Sequence, residues 1–272
     1  MIQEKLEQSA VGPQWHHIGV HHHHGVNLPL SALHTKKSCG IGEFYDLIPL
    51  IDWCHDLKLD VIQLLPLNDT GDDPSPYFAE SSLALNPLFL SLHRLPHLDK
   101  MPRAKALIEE LRSFNKTDHV AYHDVQSRKL VFFRSYFEEV GAKTIETKAF
   151  EKFVKDNPWV EGYALFKVLK DNISKNHWLT WPEGLQTPSP QLFDELIQKH
   201  WVDVCFYILL QFFCFDQLGE VKKYANEKGV FLKGDIPILI SPDSCDVWLH
   251  TDEFDMTLTA GAPPDMYTEE GQ

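Results

Sequence analysis

Apolar residues along the chain fall into short runs of strand length and longer stretches of helical period. Three apolar runs of strand length predict strands at His24–Leu30, Asp60–Leu67 and Val230–Ile240. Pro29 ends the first run and Pro66 stops the second, because proline cannot donate to a strand ladder. The sequence therefore predicts three strands separated by long segments of other structure.

Helical spacing dominates the segments between these strands. Apolar residues at positions 47, 50, 51, 54 and 57 predict a helix, with Asp46 as the expected N-cap and Pro49 in the first turn. Beyond residue 99 the pattern changes to charged amphipathic helices, and then to a long helix broken or bent near Gly219. The helical stretches predicted in this part are Arg103–Phe114, Val125–Val140, Lys148–Asp156 and Gln191–Lys228.

This order of elements places the chain in the α/β class. Strand, helix, strand, helical insertion, helix and strand is the order that predicts parallel pairing. We expect regions at 1–98, 99–199 and 200–272, of which the middle one is a helical insertion subdomain. Residues 1–17 are expected to be a polar lead-in, and the last 32 residues an irregular functional loop or a disordered end. A whole (β/α)8 barrel takes about 250 residues, but the pattern supplies only about three barrel-type strands.

Composition narrows the partners that the chain is expected to have. It carries 25 Lys and Arg against 39 Asp and Glu, a formal net charge of −14, and no long basic run. Nucleic acids and anionic membranes both attract concentrated positive charge, so neither is an expected partner. The most apolar stretch, Trp201–Leu218, is interrupted by polar residues and predicts a buried helix rather than a membrane span.

The lack of a secretory signal pattern and the arrangement of the cysteines predict a cytoplasmic location. The start of the sequence lacks the basic and apolar regions of a secretory signal. The five cysteines are odd in number and contain no CxxC pair, which disfavours a disulfide framework or a structural zinc site.

Histidines are concentrated before the first predicted strand, in the run His21–His24. Imidazole is the commonest metal ligand, but consecutive strand residues face opposite sides, so at most two of these histidines can share one ion. We therefore expect no metal site here.

Gly40 and Gly42 form half of a dinucleotide fingerprint, but Tyr45 replaces the third glycine and no strand precedes them. Backbone turns explain these glycines better than nucleotide binding does.

Two stretches beside the predicted strands carry candidate ligand-binding residues. Asp72–Tyr77 follows the second strand, where α/β folds place ligand chemistry, and combines two carboxylates, two prolines and an aromatic ring. Such a loop suits a sugar, although an ordinary proline-rich turn is the alternative. The second stretch, Gly234–Pro237, places Asp235 inside an apolar strand, where a buried carboxylate needs a partner. A ligand and a structural network explain that acid equally well.

Six sequence strings together are more specific than any one of them. The first consists of two parts separated by six residues, GVNLPLSAL and GIGEFYDL. The other five follow in this order along the chain: DVIQLLPLND, SPY, ALNPLFL, KGDIPILI–SPDSCDVW and AGAPPDMYTEEGQ. In this order the chain resembles the 4-α-glucanotransferases, which are the amylomaltases or disproportionating enzymes of glycoside hydrolase family 77. The resemblance covers residues 18–98 and 200–272 well, and the helical middle loosely.

The resemblance implies a fold, a reaction and a set of partners. The fold is a (β/α)8 barrel with helical insertions between its early strands. The reaction transfers an α-1,4-glucan segment to the 4-OH of a glucose or glucan acceptor, with retention and without a cofactor. The implied partners are malto-oligosaccharides, glucose and glycogen or starch-like glucan.

The resemblance also implies roles for particular residues. Tyr77 and Ser75 of the SPY string bind the sugar at the cleavage site, where the tyrosine ring stacks under it. Asp235 of the GDIP string holds hydroxyls of the same sugar. The loop that contains Pro264 and Asp265 overhangs the acceptor side.

The chain departs from the family pattern in one important respect. Retention requires two carboxylates about 5 Å apart, and the family carries them in RIDH-like and EDLG-like strings that this sequence does not contain. We therefore expect the chain to be the N-terminal half of the enzyme, ending before the catalytic strands and inactive alone. A non-catalytic glucan-binding remnant is the second hypothesis. The third is another α-amylase-clan hydrolase, disfavoured because no Asp-x-x-x-Asn-His string follows the third strand.

Overall fold

Three short strands form a parallel sheet in the order β1–β2–β3. They are β1 at Gly25–Leu28, β2 at Val61–Leu64 and β3 at Phe231–Lys233. Gly25 pairs with Val61, and Val61 pairs in turn with Phe231, so the three strands start in register. The computed structural model describes residues 2–174, 176–237, 240–258, 261, 263, 264, 266 and 268–271.

All three strands are shorter than the apolar runs that predict them. The largest difference is at β3, where the predicted strand Val230–Ile240 ends at Lys233. Gly234 follows directly, and Pro237 lacks the N–H that a ladder needs. The prediction that Asp235 lies inside a strand is therefore wrong, because this half-buried residue belongs to the loop after β3.

Twelve α-helices are described around this sheet. In chain order they are α1 Ile2–Glu7, α2 Gly12–Ile18, α3 Leu47–Asp56, α4 Ala104–Arg112, α5 Tyr122–Tyr136, α6 Ala142–Ile145, α7 Lys148–Asp156, α8 Trp159–Asn172, α9 Glu183–Gln186, α10 Pro190–Lys199, α11 Trp201–Glu227 and α12 Cys245–Leu249. A π-helical turn at Phe137–Gly141 joins α5 to α6. Seven of these helices, α4 to α10, lie between residues 99 and 199. The division of the chain at residues 98 and 199 stays a prediction.

The long helix α11 is the centre of the core and packs along α8. It is long and apolar enough to cross a membrane, but 61% of its most apolar window is buried inside the protein. A helix that is apolar on all sides is expected in a core, so the prediction of a buried helix is confirmed. One continuous apolar cluster joins α8 and α11 to α3 and to the strands.

Helix boundaries differ from the prediction near the ends of α10 and α11. The break between the two helices is at His200, whereas Gly219 lies within the continuous α11. Ser189 caps α10 by accepting from the Leu192 N–H, so α10 begins as an independent helix. A glycine inside a helix costs some stability. The helix α11 nevertheless continues through Gly219, because the residues before and after it pack in the core.

Two further expectations are corrected by the structure, and a third holds for position but not for side-chain capping. The predicted polar lead-in contains α1 and α2, and the predicted irregular tail contains α12. Asp46 occupies the N-cap position of α3 as predicted, but its carboxylate accepts from the Glu43 N–H and the Ser38 hydroxyl, each at 2.8 Å, and from none of the described first-turn amides of α3. All five cysteines are buried with free thiols.

A buried ion pair ties α5 to the loops near the sheet. Lys129 Nζ lies 2.6 Å from Glu43 Oε1, and both side chains are fully buried. The ammonium also donates to the Leu88 and Leu90 carbonyls. Burial raises the pKa of Glu43 to about 7, against the opposing effect of Lys129.

Candidate functional site

The loops that follow β2 and β3 meet at one edge of the sheet. Tyr77 Oη donates a hydrogen bond to Asp235 Oδ2 at 3.0 Å. This bond to a carboxylate raises the pKa of the Tyr77 phenol. Because the strands are parallel, their carboxyl ends lie at the same edge, where α/β folds place ligands. Tyr77 remains 44% exposed, so its ring is available to a ligand.

A tight turn presents Tyr77 at the tip of its loop. The Ser75 N–H donates to Asp73 Oδ1 at 2.7 Å, and the Phe78 N–H donates to the Ser75 carbonyl at 3.3 Å. An aspartate that accepts from the backbone two residues on forms an Asx turn. Ser75 therefore shapes the loop through its backbone, and its role as a sugar-binding residue stays a prediction.

The base of the loop is closed by backbone hydrogen bonds. The Asp69 N–H donates to the Ala84 carbonyl, and the Glu80 N–H donates to the Asp69 carbonyl at 2.7 Å. Gly71 has φ +56°, and a Cβ at this position would lie 2.4 Å from Glu80 Oε1. The left-handed backbone conformation favours glycine at this turn, and a larger residue would also displace the Glu80 carboxylate.

Side-chain and backbone bonds also join the β2 loop to the segment after β3. Asp246 on α12 accepts from the Ser82 N–H at 2.9 Å and from the Ser82 hydroxyl at 2.5 Å. The Cys245 N–H donates to the Glu80 carbonyl at 2.8 Å. Ser244 caps α12 through the Val247 N–H. The two loops therefore form one continuous surface.

Two lysines of α8 bind the acidic residues beneath this surface. Lys167 Nζ lies 2.6 Å from Glu80 Oε2 and 3.1 Å from Asp69 Oδ2. Lys170 Nζ lies 2.5 Å from Asp243 Oδ2. Although burial disfavours its charge, the carboxylates of Asp69 and Glu80 hold the pKa of Lys167 well above its usual value.

A polar cleft of about 440 Å³ opens above these lysines. Its walls come from the β2 loop, from α8 and from the segment after β3. Carboxylates, ammonium groups and the ring of Phe78 line it together. Such a mixture of hydrogen-bonding groups with an apolar face suits a neutral, hydroxyl-rich ligand.

The lysines of α8 were not predicted as part of the site. Lys167 and Lys170 are three residues apart and share one helix face, but charged residues at that spacing are ordinary on helix surfaces. Only the packing of α8 against the β2 loop shows that they face carboxylates.

The remaining predicted site residues lie near the end of the chain. Pro264 is exposed, and no described hydrogen bond links it to Tyr77 or Asp235. Asp265 lies outside the described residues. The placement of their loop over the acceptor side stays a prediction.

Comparison with known proteins identifies the family. The model of glycoside hydrolase family 77, described as 4-alpha-glucanotransferase, matches residues 28–272. The chain belongs to this family. A 4-alpha-glucanotransferase of Chlamydia pneumoniae is 45% identical over 260 residues, which cover 95% of this chain and 49% of that protein. The 4-alpha-glucanotransferase DPE2 of Oryza sativa subsp. japonica is 32% identical over 257 residues, covering 91% of this chain and 27% of that one. The chain spans about half the length of the chlamydial 4-alpha-glucanotransferases that it matches.

A solved structure shares the fold. The amylomaltase from Streptococcus agalactiae in complex with acarbose superposes with a TM-score of 0.81 at 22% identity. The match covers 93% of this chain and 52% of the amylomaltase. The predicted fold class, three parallel strands of a partial (β/α)8 barrel with a large helical insertion, is therefore confirmed.

Proposed function

We propose that this glycoside hydrolase family 77 chain binds α-1,4-glucans as part of a retaining 4-α-glucanotransferase. The reaction would move a glucan segment from one malto-oligosaccharide to the 4-OH of another sugar. Donors and acceptors would be malto-oligosaccharides, glucose and glycogen or starch-like glucan, in the cytoplasm. Membership of the family supports the reaction class.

The hydrogen bond between Tyr77 and Asp235 is the observation that carries the proposal. The phenol donates to Oδ2 of the carboxylate, while Oδ1 accepts from the Ile236 N–H. An ionised carboxylate offers about four acceptor positions, so two of them remain for sugar hydroxyls. The exposed tyrosine ring beside them offers an apolar face to a pyranose.

The charged network below the cleft supports a positioning role for α8. Lys167 fixes Asp69 and Glu80 at the two ends of the β2 loop, and Lys170 fixes Asp243 in the segment after β3. Loops held by ion pairs that are largely shielded from water keep their shape without a ligand. Preorganised binding groups lower the cost of ordering on association.

The transfer step itself needs a nucleophilic carboxylate and an acid/base carboxylate about 5 Å apart. We propose that residues 1–272 do not supply this pair and that they bind glucan without transferring it. The absence of RIDH-like and EDLG-like strings from the sequence supports this. A non-catalytic glucan-binding protein is therefore the second candidate function.

Two assays on purified residues 1–272 test the proposal. Isothermal titration with maltotriose should give a binding heat that saturates at one site per chain. Incubation with maltotriose should give no glucose or longer maltodextrins by chromatography. Absence of binding would contradict the proposed function, whereas disproportionation of maltotriose would overturn the proposed lack of catalytic carboxylates.

A further inference from the structure

A second cluster of polar side chains lies at the opposite edge of the sheet, where the strands begin. His23 Nδ1 lies 2.7 Å from Asp60 Oδ2, and His21 Nε2 lies 3.6 Å from the same oxygen. The ligand atoms of the three side chains all lie within 4.8 Å of one another. We propose that His21, His23 and Asp60 bind a divalent transition-metal ion of the Zn²⁺ type.

The donor set and its spacing fit this class of ion. Two imidazole nitrogens and one carboxylate oxygen are ligands that zinc accepts, at about 2.0–2.2 Å each in tetrahedral geometry. Ligand atoms around such an ion are separated by about 3.4 Å. The 3.6 Å separation already meets this value, and the 2.7 Å separation would open by a fraction of an ångström as a hydrogen bond is replaced by the metal.

Outer hydrogen bonds orient two of the three ligands. Asp60 Oδ1 accepts from the His24 N–H at 2.9 Å, which leaves Oδ2 directed to the histidines. His23 Nε2 lies 3.1 Å from the Gly19 carbonyl. The tautomer with hydrogen on Nε2 donates to this carbonyl and presents the free Nδ1 lone pair toward Asp60. Metal-binding histidines commonly use their second nitrogen in this way.

Asp60 is held by the sheet itself. Its N–H donates to the His24 carbonyl at 2.8 Å, and its carbonyl accepts from the Phe231 N–H at 2.8 Å. The His23 ring packs edge-on against the Phe231 ring, with centroids 6.1 Å apart. Backbone and ring contacts therefore place two ligands on the rigid start of the sheet.

His21 closes the site from the solvent side. Its side chain is 59% exposed, and its ring lies 4.2 Å from the His23 ring, centroid to centroid. Three protein ligands leave a fourth position open to water. The ion would attach the segment before β1 to the first residues of the sheet, at the edge that in barrels serves stability rather than ligand chemistry.

The run of four histidines also permits a different kind of binding. Flexible neighbouring imidazoles can hold a metal without any built site, in which case Asp60 would be irrelevant and His22 as important as His23. The structure separates these cases, because His22 is exposed and is not among the three converging ligands. His22→Ala is therefore a matched control for His21→Ala.

The test is a Zn²⁺ titration of residues 1–272 in competition with a chelating dye. The wild type should bind one ion, and His21→Ala, His23→Ala and Asp60→Asn should each weaken the affinity by about tenfold or more. His22→Ala should leave the affinity within about twofold. Bound Zn²⁺ should also raise the melting temperature of the wild type but not of Asp60→Asn.

Two results would overturn the metal site. One is no saturable Zn²⁺ binding by the wild type. The other is equal losses in His21→Ala and His22→Ala with no loss in Asp60→Asn, which indicates tag-like binding. His21 is exposed, so His21→Ala tests the site even where Asp60→Asn affects folding. Maltotriose binding is measured separately, so failure of this proposal is distinguishable from failure of the proposed function.

Discussion

Tyr77 donates its phenolic hydrogen to Asp235 across 3.0 Å, although 158 residues separate the two in sequence. The bond joins the loop after β2 to the loop after β3, which are carried by neighbouring parallel strands. An acid and an aromatic ring thereby lie together at the edge of the sheet where ligands are expected. The proposed sugar site depends on this pair.

Loss of the Tyr77 hydroxyl should weaken sugar binding without unfolding the protein. In Tyr77→Phe the ring is kept but Asp235 loses one of its two donors, so maltotriose affinity should fall by about threefold to tenfold, the effect of one hydrogen bond. Tyr224→Phe is a matched control, because the Tyr224 hydroxyl also donates to a carboxylate, that of Asp52, between α11 and α3. Calorimetric titration of both variants should separate them, and equal losses would argue against the site.

Removal of the Lys167 ammonium should destabilise the loops of the site. Lys167→Met leaves the buried Asp69 and the largely buried Glu80 without this cation, although Lys170 stays 3.6 Å from Glu80. Breaking a buried pair costs about 3–5 kcal/mol, which is the upper bound here. Lys152→Met is the comparison, because Lys152 forms an exposed pair with Asp156 on α7, worth less than about 1 kcal/mol. Urea unfolding of both variants measures the difference. Similar free energies of unfolding would show that the network around Lys167 contributes little.

His93 should make stability fall as the solution becomes acidic. Burial lowers the pKa of this histidine to about 4, with a further contribution from Lys37. In the part of the chain that the structure describes, its Nδ1 has no hydrogen-bond partner. Between pH 6.5 and about 4 the unfolded chain binds a proton at this site that the folded chain does not, so the free energy of unfolding decreases as pH falls.

His93→Gln removes this titratable group, so the free energy of unfolding should fall less steeply as the pH decreases. The slope difference from the wild type should reach at most about 1.4 kcal/mol per pH unit. Glu43, whose raised pKa is about 7, acts in the opposite direction between pH 4.5 and 7, but it is present in both proteins and cancels in the difference. Unfolding measured from pH 4 to 7.5 tests this, and parallel curves would contradict it.

Two glycines should respond in opposite ways to alanine. A Cβ at Gly25 would lie 1.9 Å from the Val61 carbonyl oxygen of the paired strand, whereas none of the described atoms outside its own helix backbone lies within 4 Å of one at Gly219. Gly25→Ala should therefore cost about 3 kcal/mol through overpacking. Gly219→Ala should stabilise α11 by about 0.5–1 kcal/mol. Thermal melts that rank the variants otherwise would show that one of these positions relaxes.

The central positions of the strands and the neighbourhood of Tyr77 and Asp235 could be predicted from the sequence. An apolar run bounded by proline locates a strand, and parallel strands bring the loops at their carboxyl ends together. The ends of the strands could not be predicted as well. The apolar run continues beyond Gly234 and Asp235, whereas the strand β3 ends at Lys233. Pairing geometry rather than hydrophobicity decides where β3 stops.

The ion pairs beneath the site could not be predicted. Lys167 lies 87 residues from its partner Glu80 in sequence, and nothing local distinguishes it from a solvent-exposed helix lysine. The His21, His23 and Asp60 cluster is similar, because the histidine run is visible in the sequence but Asp60 joins it only through the pairing of β1 with β2. The break at His200 also depends on packing, since apolar spacing continues from α10 into α11.

The most direct test of the sugar site is a crystal structure of residues 1–272 soaked with maltotriose. We expect a glucose ring lying against the Tyr77 ring, with at least one hydroxyl within hydrogen-bond distance of an Asp235 carboxylate oxygen. Well-defined maltotriose bound elsewhere on the chain, with Tyr77 and Asp235 still joined to each other and untouched by sugar, would contradict it.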